Sequence, residues 1–283
     1  MSTYRINFKQ LRQEGLKELF YALERSFNSL KIDFYIIGAL ARDTWFAQKG
    51  IRALGTKDID LAIFISDYDK FDMLKQHLIT TENFISSSTN EYVLFDRNGL
   101  QIDLLPFGAI DLEGRKIIDH QGIHHSNVLG FKEVYEEAVE EVNFENRFQF
   151  KVSTLPGIVV LKFIAYDDRP EIRSQDIKDI YAILMHYFDL ETDLIYEKHA
   201  DLFEQEEKDL TQLAARALGR EMKPILEKNS LLKERLLSIL KDNTDSLASS
   251  ALALLFQEES DSEISTIQYQ VSLLKEIIAG IDD

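Results

Sequence analysis

Asp58-Ile59-Asp60 opens an apolar run that continues to Phe64, and two carboxylates at that spacing can share a cation. Residues i and i+2 of a strand point to the same face, so the two side chains stand roughly 6–7 Å apart. Twenty residues before Asp58, the stretch Phe34-Tyr35-Ile36-Ile37-Gly38-Ala39 reads as an apolar strand that a glycine turn converts into a helix. Such a turn aims backbone N–H groups and the positive end of a helix dipole into the same space, which suits phosphate oxygens. A third acid, Asp103, sits within Leu100–Leu105, just before Pro106. An acidic pair alone says little, because 49 acids in 283 residues give roughly eight i, i+2 pairs by chance. Placement says more. Unpartnered charge on the apolar stretch of a strand is costly to bury, and one divalent cation would resolve that cost for all three acids. Magnesium takes oxygen ligands and keeps water and phosphate in its shell. The residues therefore describe a pocket for a metal-bound triphosphate.

The elements that must position these residues follow from periodicity. Residues 8–30 carry Leu11, Leu16, Leu19, Phe20, Leu23 and Phe27 at helical spacing and predict an amphipathic helix. A strand over 33–37, a helix over 39–48, a loop bracketed by Gly50 and Gly55, and a strand over 59–65 come next. Ser66 is the expected cap of a helix covering 68–77. Strands are predicted at 84–87, 92–96 and 100–105, with Asn98-Gly99 making the last two antiparallel neighbours. Pro106 is expected to end that ladder. Residues 107–152 read as irregular β structure. Trp45 is expected in the core, and His120, His124 and His125 in a surface loop without zinc-ligand spacing.

From Ser153 the pattern turns helical: 155–167, 174–188, 191–207, 208–221, 223–240 and 263–280, opened by Ser153-Thr154-Leu155-Pro156. The expected class is α+β, a mixed sheet with flanking helices over 1–152 followed by a helical domain over 153–283 that closes the cleft. The chain has no cysteine, which excludes disulfides and thiol chemistry. Its net charge is −17, divided −6 over residues 1–150 and −11 over 151–283. Neither half shows the basic stripe of a general DNA binder. No apolar run reaches the ~18–20 residues that span a membrane, and the polar start lacks a signal-peptide core. The expected location is the cytoplasm.

Gly38-Ala39, Asp58-x-Asp60 and Asp103 together resemble the core motif of the polymerase-β-type nucleotidyltransferases. More narrowly, Thr56-Lys57-Asp58-Ile59-Asp60-Leu61 is similar to the Thr/Ser-x-Asp-Ile-Asp-Leu run of the AbiEii-like nucleotidyltransferases, a group that contains toxins of type IV toxin–antitoxin systems. That group's downstream helical element of Lys, Arg and Asp-x-x-Asp is matched by Lys162, Arg169 or Arg173, and Asp176 with Asp179. The resemblance spans about residues 34–186. It departs at Ala39, where the family usually carries serine or glycine, so phosphate grip there falls to backbone N–H groups.

The resemblance implies a nucleotidyltransferase fold and transfer of a nucleoside monophosphate from an NTP to a hydroxyl. Asp58 and Asp60 would bridge two magnesium ions, and Asp103 would ligate the catalytic one and orient the attacking hydroxyl. Gly38, Ala39, Thr56, Lys57 and Lys162 would contact the nucleotide, with Lys162 neutralising triphosphate charge. Asp176 would hold Lys162 or a ribose hydroxyl. The acceptor stays open: tRNA or a protein in a toxin setting with an antitoxin partner, or a small molecule such as an aminoglycoside drawn to acidic surface. A third reading is a non-catalytic nucleotide-binding or regulatory protein that retains the fold.

Overall fold

The computed structural model describes residues 4–11, 13–109, 117–119, 122–124, 128–204, 208–247, 250–260 and 266–283. The chain divides into two compact units, Met1–Tyr135 with Val139–Thr154, and Glu136–Ala138 with Leu155–Asp283. From Tyr4 to Glu82 the elements are β1 (Tyr4–Ile6), α1 (Phe8–Leu11), α2 (Leu16–Leu30), β2 (Asp33–Ile36), α3 (Gly38–Gln48), β3 (Asp58–Ile65) and α4 (Tyr68–Glu82). They continue as β4 (Ile85–Ser86), β5 (Val93–Phe95), β6 (Gln101–Gly108), β7 (Ile117–Asp119), β8 (Gly122–His124), α5 (Phe131–Glu137), β9 (Val139–Phe144) and β10 (Phe148–Ser153). His120 and His125 lie outside the described residues.

Eight strands form one mixed sheet in the order β1-β9-β10-β2-β3-β6-β5-β4, and β7 pairs with β8. Near its centre β3 runs antiparallel to β2 and parallel to β6. Ile59, Leu61, Ala62 and Ile63 of β3 are fully buried. A stretch covered on both faces needs a continuous apolar run, which Leu61-Ala62-Ile63 supplies, while Phe64 beyond it is exposed. On α2, Phe20 and Phe27 pack on the sheet's aromatic side chains, with centroids 4.8 Å from Phe150 and 4.1 Å from Phe34. The mixed sheet with flanking helices agrees with the α+β reading of the sequence.

Several boundaries differ from the sequence expectation. The helix expected over 8–30 is two helices, because Gly15 takes a left-handed conformation (φ +79°) between α1 and α2. Helix α4 is capped by Asp67, whose carboxylate accepts from Lys70 N, rather than by Ser66. The β5–β6 hairpin turns on Asp96, whose Oδ1 accepts from the Asn98 and Leu100 backbone N–H groups at 2.8 Å, with Gly99 at φ +82°. Pro106 does not end the ladder: β6 runs through it to Gly108, in parallel register with β3. Leu104 N donates to Tyr92 O, so alternate nitrogens of β6 face the β5 side. The nitrogen of Pro106 therefore falls where β5 no longer runs, and no ladder hydrogen bond is lost there.

The second unit is helical: α6 (Leu155–Asp168), α7 (Ser174–Leu190), α8 (Thr192–Lys198), α9 (Leu210–Glu227), α10 (Ser230–Asp242), α11 (Ala251–Glu258) and α12 (Ile267–Asp282). Residues 205–207 and 263–265, ends of two expected helices, lie outside the described residues. Where sequence periodicity predicts two helices meeting near 222, α9 is continuous through Pro224. A capping box of Asp209 and Gln212 starts α9, and Asn229 caps α10. Helix α11, which the sequence reading does not anticipate, starts on Ser250, whose hydroxyl accepts from Ala253 N. No helix among the described residues is long and apolar enough to cross a membrane.

Helices α9 and α12 approach closely at two glycines. A Cβ on Gly219 would stand 2.2 Å from Ile277 O, and one on Gly280 2.1 Å from Arg216 O. Neither neighbour can yield without moving a helix backbone. Gly219→Ala is expected to lower stability by about 1–3 kcal/mol, read as a lower urea midpoint at unchanged slope.

Candidate active site

The site is built on the β3–β6 ladder. The parallel register sets Asp58 opposite Gln101 and Asp60 opposite Asp103. Asp58 and Asp60 share a face by the two-residue period, as do Gln101 and Asp103. Three carboxylates are thus gathered: one oxygen from each of Asp58, Asp60 and Asp103 lies within 4.8 Å of the others, and all three residues are half-buried. Gathering like charge is unfavourable without a counter-ion, and the donors are all hard oxygens. That set fits Mg²⁺ or Mn²⁺ rather than a thiolate- or imidazole-seeking metal.

The glycine turn closes on this cluster from the neighbouring strand. Ile37 N donates to Asp60 O at 3.1 Å, and the chain then turns into α3. Gly38 has φ +66°, and a Cβ there would lie 2.0 Å from Asp60 Oδ2. Both the backbone angle and the contact demand glycine. The first turn of α3 therefore abuts the Asp60 carboxylate, with the half-buried Ala39 next in line.

The loop from Lys49 to Lys57 reaches the site through two side chains. Asp43, in the middle of α3 and 1% exposed, accepts at Oδ2 from Gly55 N at 2.7 Å. Its other oxygen accepts from Arg42 Nε and Nη2 at 2.9 and 2.7 Å, with Arg42 2% exposed. This buried pair holds Gly55 in its left-handed conformation (φ +82°), and the next residue is Thr56. Thr56 Oγ1 stands 2.8 Å from Asp58 Oδ1 and 2.9 Å from Asp58 O, and its single hydroxyl hydrogen serves one at a time. Lys57 is exposed. On the adjacent strand, Gln101 Nε2 donates to Asp103 Oδ1 at 2.8 Å. Trp45 is buried, and its indole N–H donates to Ser153 O at 2.6 Å.

In the second unit Lys162 and Asp176 meet each other. Lys162 Nζ lies 2.7 Å from Asp176 Oδ1 and 2.8 Å from Asp179 Oδ2, all three residues being buried. Arg173 reaches Asp176 Oδ2 at 3.6 Å, and Gln175 donates to Asp179 Oδ1 at 3.2 Å. Burial presses the Lys162 pKa down, and the attraction of Asp176 and Asp179 more than reverses this, leaving it raised. A raised lysine pKa gives stability that is present below the unfolded value of about 10.4 and lost as pH climbs through the folded one.

Of the residues singled out in the sequence, the structure gathers Gly38, Thr56, Asp58, Asp60 and Asp103 in the first unit. It pairs Lys162 with Asp176 in the second. Sequence reasoning missed Gln101 and Asp43. The signal for Gln101 was available in its spacing, two residues from Asp103 on the same strand face. For Asp43 no local signal exists, because its partner Gly55 is set by how the loop folds back on α3.

No family model and no curated protein matches this sequence. Among solved structures the chain is similar to the antibiotic-resistance factor ANT(2'')-Ia, at 9% identity and TM-score 0.38, covering 81% of this chain and 93% of that one. It is also similar to the CdnE cyclic dinucleotide synthase of Elizabethkingia meningoseptica with GTP and Apcpp, at 10% identity and TM-score 0.31, covering 97% and 93%. A third similar structure is the Thermotoga maritima CCA-adding enzyme complexed with tRNA, at 14% identity and TM-score 0.31, covering 100% and 87%. All three scores lie below 0.5, so the roles of the residues here rest on their own geometry.

Two outcomes are expected from this arrangement. Gly38→Ala displaces Asp60 and should weaken Mn²⁺ binding by about tenfold or more, measured by titration of the metal-free protein. Lys162→Met removes the ammonium that two buried carboxylates share and should cost about 3–5 kcal/mol, measured by urea unfolding at neutral pH.

Proposed function

We propose that this protein is a Mg²⁺-dependent nucleotidyltransferase that moves a nucleoside monophosphate from an NTP to a hydroxyl. The observation that carries the reading is the convergence of Asp58, Asp60 and Asp103 to within 4.8 Å beside the Gly38 turn. The motif resemblance of Gly38-Ala39, Asp58-x-Asp60 and Asp103 points to the same chemistry. Asp58, Asp60 and Asp103 would hold the metal, which supplies neutralisation of triphosphate charge and polarisation of the reacting phosphoryl group.

The chain's own groups divide the remaining work. Backbone N–H groups of the Gly38-Ala39 turn, at the positive end of α3, bind phosphate oxygens. Lys57 adds an exposed cation next to Asp58. Asp103 orients the acceptor hydroxyl and takes up its proton as the acceptor oxygen bonds to the α-phosphorus. The bond from the α-phosphorus to the bridging α–β oxygen breaks, and pyrophosphate leaves. Lys162 and Asp176 belong to the proposal through the motif they match, with Asp176 orienting the Lys162 ammonium. Such chemistry is largely positioning and electrostatics.

Within this class, the Thr56–Leu61 run supports an AbiEii-like toxin that acts in the cytoplasm on tRNA or a protein and is countered by an antitoxin. The net charge of −17 favours a second acceptor class, a cationic small molecule such as an aminoglycoside. Incubation with Mg²⁺ and α-labelled NTPs against tRNA, total protein and aminoglycosides separates these by which acceptor carries label. Asp58→Ala and Asp60→Ala should each reduce labelling by about 10²-fold or more. A wild-type protein that binds no Mg²⁺·NTP and labels nothing sinks the enzyme reading. Growth arrest on expression, relieved by Asp60→Ala, is the outcome expected of the toxin form.

A further inference from the structure

The parallel register of β3 and β6 makes a four-cornered block on one sheet face. Asp58 and Asp60 occupy one side, and Gln101 and Asp103 stand opposite them in the same order. Three corners are carboxylates and the fourth is an amide. From this corner Gln101 Nε2 donates to Asp103 Oδ1 at 2.8 Å. An amide beside a carboxylate must present its N–H₂ end, because two acceptor oxygens would repel each other. We propose that Gln101 is the positioning residue for Asp103, holding that carboxylate in place for the metal. The proposal rests on the metal-site reading under Proposed function.

The residue type at this corner is decisive. Asp103 faces two other carboxylates, and like charge favours rotation of its side chain away from them. A hydrogen bond to Oδ1 opposes that rotation and fixes the plane of the carboxylate. A lysine or arginine here would also hold Asp103, but its charge would take the place of the cation. An acid here would add a fourth negative charge and accept rather than donate. A neutral donor anchors Asp103 without adding a charge of its own to the cluster. Thr56 repeats the device on the first carboxylate, with its neutral hydroxyl 2.8 Å from Asp58 Oδ1. Partners beyond the ligands that orient a ligating group commonly govern metal affinity by about 10–100-fold.

Gln101→Met keeps length and volume and removes only the donor. Titration of the full-length, metal-free protein with Mn²⁺, followed by the loss of the free-ion paramagnetic resonance signal, is expected to show affinity weakened by about 10–100-fold. The thermal midpoint without metal should stay at the wild-type value. In an Asp103→Asn background, Gln101→Met should weaken Mn²⁺ no further, since the amide acts through Asp103 alone. Gln101→Lys should abolish Mn²⁺ binding in a protein that melts normally. Unchanged Mn²⁺ affinity in Gln101→Met overturns the proposal, as does an equal loss in the Asp103→Asn background. A folded wild-type protein that binds no Mn²⁺ overturns the metal site itself. Binding that Asp58→Ala abolishes and Gln101→Met leaves intact overturns the role of Gln101 alone.

Discussion

Three carboxylates held within 4.8 Å are the constraint on which the first unit is arranged. Two unit charges at that separation repel by about 3.5 kcal/mol at an effective dielectric constant of about 20. A whole domain is stable by only about 5–15 kcal/mol, so the cluster persists because its backbone is fixed by something stronger. That something is the strand pair beneath it. Ile59, Leu61 and Ile63 of β3 and Ile102 and Leu104 of β6 are buried on the face opposite the acids, and sliding either strand by one residue would carry Asp60 or Asp103 to that apolar face. Apolar burial holds the register, and the register holds the acids.

Three of the described groups at the cluster support the carboxylates without adding a charge of their own. Thr56 and Gln101 are neutral donors, and Gly38 is a residue without a side chain where one would collide with Asp60. The cation nearest in sequence to the turn, Arg42, is bonded to Asp43 inside α3. That pair does its work at one remove, fixing Gly55 and through it the approach of Thr56. None of Thr56, Gln101 and Gly38 adds a charge of its own beside the carboxylates.

The second unit treats charge in the opposite manner. Lys162 is buried between Asp176 and Asp179, and Arg173 also reaches Asp176, so opposite charges are set directly against one another. A buried pair of this kind is costly to break and weak as a net stabiliser. The close helix crossing at Gly219 and Gly280, by contrast, depends on the absence of side chains rather than on charge.

Local pattern was enough to show a strand, a glycine turn, a helix and a strand opening on Asp58-x-Asp60, because the two-residue and 3.6-residue periods are properties of single segments. It was enough for the antiparallel pairing of the strands around Asn98-Gly99, though the turn itself is set by Asp96, and for the helical character of the chain after Ser153. It misled at Gly15, at Pro106 and near residue 222, where propensity is overridden by what runs alongside. The sequence alone thus determined which residues are acidic, which face of their own strand they take, and the need for glycine at a tight turn. Only the tertiary structure decided that Asp103 stands opposite Asp60, that Gln101 takes the fourth corner, and that Asp43 reaches Gly55. Those are choices of partner and register between distant segments, and a single segment's periodicity carries no information about its neighbour.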